Sequence, residues 1–142
     1  MFTIPDELLN LTKQFEGFRS IAYQDQVGVW TCGFGETENV TANTTMTINE
    51  ATTLLQNKLT NLWQQINAKS SVPLTNNELI ALCDFAYNLG INALFNSHLW
   101  TLLQLNEKQA AADQFPLWCH AGNKIVNGLL IRRNKEKQIF LS

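Results

Sequence analysis

The segment from Thr75 to Gly90 limits the fold of this chain more than any other. Thr75 and Glu78 have the spacing of a helix capping box, and Gly90 is a residue type that commonly ends a helix. Between them the apolar side chains are Leu79, Ile80, Leu82, Cys83, Phe85, Ala86, Tyr87 and Leu89. Because a helix that is apolar almost all round must be covered on every side, we expect it at the centre of a helical core.

Two polar residues, Asp84 and Asn88, interrupt this apolar helix four positions apart. A polar side chain in a core needs a hydrogen-bonding partner, or else it lines a groove that admits a ligand. The sequence leaves both interpretations open for each residue.

Other helical patterns flank this segment. Residues 5–17 predict a first helix, and Thr47 with Glu50 forms another capping box that opens an amphipathic helix to about Lys69. Short patterns follow at 93–95 and 98–105, and a helix is predicted over 107–120, where Pro116 should kink or end it. Residues 122–128 are predicted to be a loop. The last helix is predicted over 129–141, and its basic residues are expected to form a solvated face from which one arginine reaches a carboxylate: Arg132, Arg133, Lys135 and Lys137.

Between the first two long helices the spacing of the apolar residues changes from that typical of helices to that typical of strands. The runs 21–23 and 29–31 flank a polar turn at 24–28, which predicts a β-hairpin, followed by a loop or an irregular third strand to Thr45. Such a hairpin, directly after a helix that ends near Glu16, would bring Asp25 and Thr31 toward Glu16. Two carboxyl groups in unlike surroundings are what hydrolysis of a glycosidic bond needs, one protonated and one ionised to activate water.

The charge and the cysteine content exclude several classes of function. The chain has 142 residues and a formal net charge of −2, and it has no basic stripe that would neutralise nucleic-acid phosphates. Its three cysteines have neither a disulfide-framework pattern nor metal-ligand spacing, and a buried free thiol is expected for Cys83, which lies in an apolar helix pattern. We therefore predict no nucleic-acid partner, no metal and no cofactor.

The N-terminal residues Met1 to Glu7 contain neither a basic nor an apolar segment of a signal peptide. No apolar run approaches the roughly 20 residues that a membrane-spanning helix needs. We expect synthesis in a bacterial cytoplasm without a signal peptide and no integral membrane segment.

Several ordered motifs resemble those of the phage-type lysozyme (endolysin) family. They are Phe15-Glu16-Gly17-Phe18-Arg19, Ala22-Tyr23-Gln24-Asp25, Gly28-Val29-Trp30-Thr31 with Gly33 and Gly35, Asp84-Phe85-Ala86-Tyr87-Asn88-Leu89-Gly90, and Gly128-Leu129 with Arg132-Arg133. The resemblance covers essentially the whole chain. It implies an α+β, mostly helical lysozyme-like fold in which a small N-terminal β-hairpin lobe is joined by a long helix to a helical C-terminal lobe. We expect one domain over 1–142, with the hairpin lobe at about 17–47 and the helical lobe at about 70–142 plus the N-terminal helix, and a monomer.

The resemblance also implies a muramidase. Such enzymes hydrolyse the β-1,4 bond between N-acetylmuramic acid and N-acetylglucosamine in bacterial peptidoglycan. The catalytic set of the family falls on Glu16 as the general acid and on Asp25 with Thr31, which activate or position the attacking water. The family is usually described as inverting, which demands that the two carboxyl groups lie about 6.5–9.5 Å apart.

Further residues are expected to support this chemistry. Phe15, Phe18 and Trp30 would form the apolar wall that keeps an acid protonated. Arg132 matches a family position that contacts the acid, and Tyr87 and Asn88 are expected to bind substrate or support the site.

Departures from the family pattern leave alternatives open. Glu36 stands where the family usually has an ion-pairing histidine, which puts that salt bridge in doubt and adds a negative charge. Cys119 and His120 also replace residues that are often aromatic or small in the family, and the chain carries little positive charge. A glycan-binding or interaction module that has lost turnover is therefore an alternative. A lysozyme delivered by a phage tail or a secretion system is another, and the sequence does not separate it from an endolysin whose release depends on a holin. In either case the enzyme would act on the cell wall or in the periplasm.

Overall fold

The computed structural model describes residues 2–142, so Met1 of the predicted leaderless segment lies outside the described residues. The chain separates into two compact units, one running to Thr60 and the other from Asn61 to Ser142. The helices are α1 (Asp6–Glu16), α2 (Ile48–Lys69), α3 (Asn76–Leu89), α4 (Ile91–Phe95), α5 (His98–Gln104), α6 (Lys108–Ala112) and α7 (Asn127–Phe140), with a 3₁₀ turn at Phe115–Leu117. The strands are β1 (Arg19–Gln24), β2 (Trp30–Gly33), β3 (His120–Ala121) and β4 (Lys124–Ile125). This is the predicted α+β, mostly helical fold, while the predicted lobe boundaries and the single-domain assignment stay predictions.

Helix α1 opens the first unit. Leu8, Leu11 and Thr12 form its buried face, and Pro5 lies at the N-cap, one position before the helix begins. Gly17 ends the helix with a φ of +69°, a backbone conformation that side chains other than glycine rarely adopt. The chain can therefore reverse at once, and β1 begins two residues later.

The predicted hairpin is present in the same unit. Strands β1 and β2 are antiparallel, with Tyr23 opposite Thr31 and Gln24 opposite Trp30. The segment predicted as a loop or irregular third strand is mostly loop, and two isolated bridges pair Thr45 with Ile21 and Glu36 with Cys32. The turn between the two strands carries Asp25.

Helix α2 begins at the predicted capping box and runs from the first unit into the second. The Thr47 backbone N–H donates to Glu50 Oε1 at 3.0 Å, and the Glu50 N–H donates to Thr47 Oγ1 at 3.1 Å. The backbone N–H of Thr47 and, to a lesser degree, its hydroxyl lower the pKa of the Glu50 carboxyl group because they favour its ionised form. The buried side chains of the helix recur at helical spacing: Ala51, Leu55, Leu59, Trp63 and Ile66.

Helix α3 is buried over most of its length, as its apolar composition predicts. Its capping box is complete, and Gly90 donates its backbone N–H to the Ala86 carbonyl at the other end. Helix α7 packs against α3 within the second unit. This unit therefore has the central buried helix that the sequence requires.

Two predictions for residues 107–128 are wrong in detail. The helix predicted over 107–120 ends at Ala112, because Pro116 lacks a backbone N–H and stands in a 3₁₀ turn. The segment predicted as a loop contributes β4 to a small antiparallel hairpin, in which His120 pairs with Ile125.

The prediction of a solvated basic face on the last helix is wrong for two of its four residues. Arg132 is 5% exposed and Arg133 is 0% exposed. Arg133 pairs with Glu136 one turn later on the same helix, at 2.7 Å between Nε and Oε1. The two guanidinium groups can be buried because carboxylates inside the fold pair with them. The run of basic residues in the sequence does not by itself reveal those carboxylates.

Within the described range of the chain, no helix combines the length and the apolar character that crossing a bilayer requires.

Candidate active site

Glu16 is the last residue of α1, so its position is fixed by a regular helix. The next residue, Gly17, donates its backbone N–H to the Lys13 carbonyl at 2.9 Å and closes the helix. The Glu16 side chain is half-buried, as are Phe15, Phe18 and Trp30. A carboxyl group in such a setting is partly shielded from water.

Asp25 lies in the turn that follows β1, and its carboxylate is held by the backbone. Its Oδ1 accepts N–H groups from Val27 at 2.9 Å and from Val29 at 2.8 Å. The turn closes through the Gly28 N–H, which donates to the Asp25 carbonyl at 3.0 Å, and Gly28 has a φ of +86°. Asp25 is exposed, so the turn presents an oriented carboxylate to solvent.

Thr31 lies on β2 and is 5% exposed. Its Oγ1 donates to the Val29 carbonyl at 3.0 Å, since a carbonyl oxygen only accepts. The same carbonyl also accepts the Asp25 N–H at 2.9 Å. The hydroxyl proton is therefore occupied, and the lone pairs of Oγ1 are the part of this group left for other partners.

The main chain of Val29 connects Asp25 to Thr31. Its N–H is bound to the Asp25 carboxylate, and its carbonyl is bound to the Thr31 hydroxyl and to the Asp25 N–H. Sequence reasoning did not identify this residue, since only its backbone takes part. The sequence did contain a signal for this contact, an aspartate four positions before Val29 in a turn that includes Gly28. An aspartate in such a turn typically accepts backbone N–H groups of the same turn.

Glu36 does not add an uncompensated charge to this unit. Lys58 on α2 donates to its Oε1 at 2.7 Å, and Glu36 is 5% exposed. An ion pair therefore exists at the position where the family histidine is missing, with a carboxylate and a lysine in it.

The remaining predicted site residues lie in the second unit. Arg132 forms a two-pronged pair with Asp84, with Nε to Oδ2 and Nη2 to Oδ1 both at 2.9 Å. Tyr87 and Asn88 are half-buried near the end of α3, and Asn88 Oδ1 accepts no hydrogen bond from the residues that the structure describes. Of the two interpretations that the sequence left open for Asp84, the structure shows the hydrogen-bonding partner. A contact of Arg132 with Glu16 stays a prediction.

Glu136 completes a buried group of charges with Asp84, Arg132 and Arg133. Burial and the neighbouring Asp84 carboxylate raise the pKa of Glu136 well above its ordinary value, and Arg133 opposes this shift. Arg133 Nη2 donates to Glu136 Oε2 at 2.8 Å, and its guanidinium lies 5.1 Å from the centre of the Phe85 ring. The contact of Arg133 with Phe85 and the pair of Arg132 with Asp84 join α3 to α7.

The three cysteines, Cys32, Cys83 and Cys119, are buried and have free thiols, which was predicted for Cys83 alone. Burial raises the pKa of the Cys83 thiol, so it stays protonated and unreactive at neutral pH.

The first unit offers two carboxyl groups whose surroundings differ. Glu16 is a half-buried carboxyl group on a helix, whereas Asp25 is an exposed carboxylate held by N–H donors and linked to a hydroxyl. Such a set can donate a proton to a leaving oxygen and accept one from water.

Comparisons with known proteins point to a single family. A family model described as phage lysozyme matches residues 13–136. The endolysin of Salmonella phage P22 is 37% identical over 100% of both chains, and the endolysin of Acyrthosiphon pisum secondary endosymbiont phage 1 is 33% identical over 98% of each chain. Among solved structures, the muramidase domain of SpmX from Asticaccaulis excentricus superposes with a TM-score of 0.91 at 29% identity, covering 100% of this chain and 99% of that one. From the match along its whole length, we conclude that the chain belongs to the phage lysozyme family and is a glycoside hydrolase, a muramidase.

Proposed function

We propose that this muramidase cleaves the β-1,4 bond between N-acetylmuramic acid and N-acetylglucosamine in bacterial peptidoglycan. The observation that carries the assignment of roles is the backbone of Val29, which holds the Asp25 carboxylate and the Thr31 hydroxyl at the same time. Glu16, on a separate helix and half-buried, is the acid.

In the proposed reaction Glu16 gives its proton to the glycosidic oxygen as the bond to the anomeric carbon breaks. A water molecule attacks that carbon from the opposite face of the sugar and passes a proton to Asp25, whose Oδ1 is already held by two N–H groups. Thr31 accepts the second hydrogen of the water through an Oγ1 lone pair, because its own proton is bound to the Val29 carbonyl. Direct displacement of this kind inverts the anomeric configuration.

Arg132, Tyr87 and Asn88 are proposed to support the substrate or the acid. Asn88 is the best motivated of the three, because a buried acceptor without a protein partner costs about 1–3 kcal/mol unless another group binds it. We also propose that the enzyme acts on the cell wall and that it is a monomer. We propose that it is released by a holin or delivered by dedicated machinery.

A glycan-binding module without turnover is the weaker candidate. Its motivations were the extra negative charge of Glu36, the low positive charge of the chain and the substitution at Cys119. Lys58 neutralises the charge of Glu36, and Cys119 is a buried free thiol. We therefore retain an active enzyme as the proposal.

The deciding experiment replaces Glu16 by glutamine, which has nearly the same shape and no proton to give. We expect the release of new reducing ends from purified peptidoglycan to fall at least about 10²-fold, the usual contribution of a general acid. Glu7→Gln, at an exposed position on the same helix, is the matched control and should keep the parental rate. If Glu16→Gln clears cell walls as fast as the parent, the proposed acid is wrong, and proton NMR of the first product in the parent tests inversion separately.

A further inference from the structure

Glu36 is a buried carboxylate with three donors on one oxygen. Its Oε1 accepts the Lys58 ammonium at 2.7 Å and the backbone N–H groups of Thr37 at 3.1 Å and Glu38 at 2.9 Å. A charge that is 5% exposed persists only when it is paired in this way. The side chain of Glu36 therefore fixes the turn after β2 to Lys58 on α2.

The same turn is tied to β2 through its backbone. The Cys32 N–H donates to the Glu36 carbonyl at 2.9 Å, and the Glu36 N–H donates to the Cys32 carbonyl at 2.8 Å. Cys32 directly follows Thr31 on the strand. A displacement of Glu36 is therefore transmitted to the residue next to the hydroxyl that positions water.

The turn also lies close to the start of α2. Gly33 has a φ of +65°, and a Cβ atom at this position would lie 2.9 Å from Met46 Sδ and 3.0 Å from Ala51 Cβ. No side chain larger than that of glycine fits there without movement of a neighbour. The end of β2 thus has a close packing contact at Gly33 and a charged contact at Glu36.

We propose that the Glu36–Lys58 ion pair is a positioning element for catalysis, which holds β2 on α2 so that Thr31 keeps its place beside Asp25. This inference rests on the role of Thr31 proposed above. The hydroxyl must hold its 3.0 Å bond to the Val29 carbonyl while it accepts a hydrogen from water, and small errors in such positions slow the chemical step. Lys58 acts through Glu36 and Cys32 and touches no reacting atom in the proposed mechanism.

The second unit offers a matched control pair. Lys108 Nζ lies 2.7 Å from Glu78 Oε2, and the exposed side-chain fractions are 31% and 7%. In the Lys58–Glu36 pair the distance is also 2.7 Å, with fractions of 38% and 7%. Glu78 likewise accepts a backbone N–H, that of Thr75 at 2.8 Å. Loss of either lysine should therefore cost similar stability.

The test compares Lys58→Met with Lys108→Met on solubilised, uncross-linked peptidoglycan strands, with kcat, KM and Tm measured for each. We expect similar decreases in Tm, but a kcat reduced about tenfold at nearly constant KM only for Lys58→Met, since misplaced catalytic groups cost rate rather than binding. Lys58→Arg should recover most of kcat, because it restores the charge and the donor. If Lys58→Met does not fold, Glu36→Gln removes the charge and keeps an acceptor for the two N–H groups, and a lower kcat is expected there too.

Thr31→Val separates the role of the ion pair from the role of the Thr31 hydroxyl. If Thr31→Val lowers kcat while folded Lys58→Met, or Glu36→Gln in its place, has the parental kcat, the ion pair is only structural and the positioning proposal is wrong. If Thr31→Val itself keeps the parental kcat, the proposed role of Thr31 fails, and the positioning proposal fails with it.

Discussion

Asp25 and Asp84 are two aspartates that the sequence singles out, and the fold holds them in opposite ways. Asp25 is exposed, and backbone N–H groups hold one of its oxygens. Asp84 is 0% exposed, and Arg132 binds both of its oxygens at 2.9 Å. A carboxylate oriented through one oxygen keeps the other for a substrate or water, whereas a carboxylate bound through both by an arginine serves the fold. The comparison suggests that the pattern of donors, more than the residue type, decides between chemistry and structure.

The same substitution at both positions tests this contrast, and the largest effect is expected at Asp25. Asp25→Asn keeps an oxygen that accepts the N–H groups of Val27 and Val29, but its amide cannot take a proton from water. We expect kcat to fall about 10²–10⁴-fold with little change in Tm. Asp6→Asn, at an exposed position in the same unit, should keep the parental kcat. A large loss of Tm in Asp25→Asn would mean that this aspartate is structural after all.

Asp84→Asn should reverse the pattern. The change leaves the buried Arg132 guanidinium without its carboxylate, and broken buried ion pairs typically cost about 3–5 kcal/mol. Urea unfolding followed by circular dichroism measures this loss directly. Asp113→Asn is the control, because Asp113 pairs with Lys137 at 3.0 Å at an exposed position and should hardly change the unfolding midpoint. Unchanged stability in Asp84→Asn would contradict the structural role of the pair.

The smallest effect is a pH dependence at Glu136, which shares the buried group of charges with Asp84. The folded pKa of Glu136 lies well above 4.5, so above pH 4.5 the folded chain holds a proton that the unfolded chain has released. The contribution of this group to stability is complete below that pH and is lost as the pH rises through the folded pKa.

Replacing Glu136 by glutamine removes this titration. Relative to Glu136→Gln, the parent should therefore lose unfolding free energy as the pH rises from 4.5, as measured by urea unfolding at a series of pH values. Parallel stability curves for the two proteins would show that Glu136 titrates alike in the folded and unfolded chains.

Local patterns predicted the parts of the fold that local forces determine. The hairpin followed from strand-like runs around a turn with Gly28, α2 from the Thr47–Glu50 capping box, and α3 from its apolar composition. In the candidate site, sequence reasoning selected Asp25 and Thr31, which the structure links through Val29. The catalytic roles themselves came from the family resemblance and stay proposals.

The predictions that failed depend on partners far apart in the chain or on weak local signals. Arg132 meets Asp84 48 positions away, and Glu36 meets Lys58 22 positions away, so neither pairing is visible in a local pattern. The small hairpin of β3 and β4 has two-residue strands, too short to show an alternating pattern. Its residues are exposed, so burial did not mark it either.

The role of Val29 has a consequence for how this position can vary. All of its contacts with Asp25 and Thr31 are made by the peptide groups on either side of its Cα, and the residue is 42% exposed. Many residue types supply the same N–H and carbonyl, so evolution is free to change the side chain without touching the chemistry. Proline is the exception, because it has no N–H to give to Asp25. If Asp25 and Thr31 act as proposed, a change to proline at Val29 should therefore be far more damaging than a change to any other residue type.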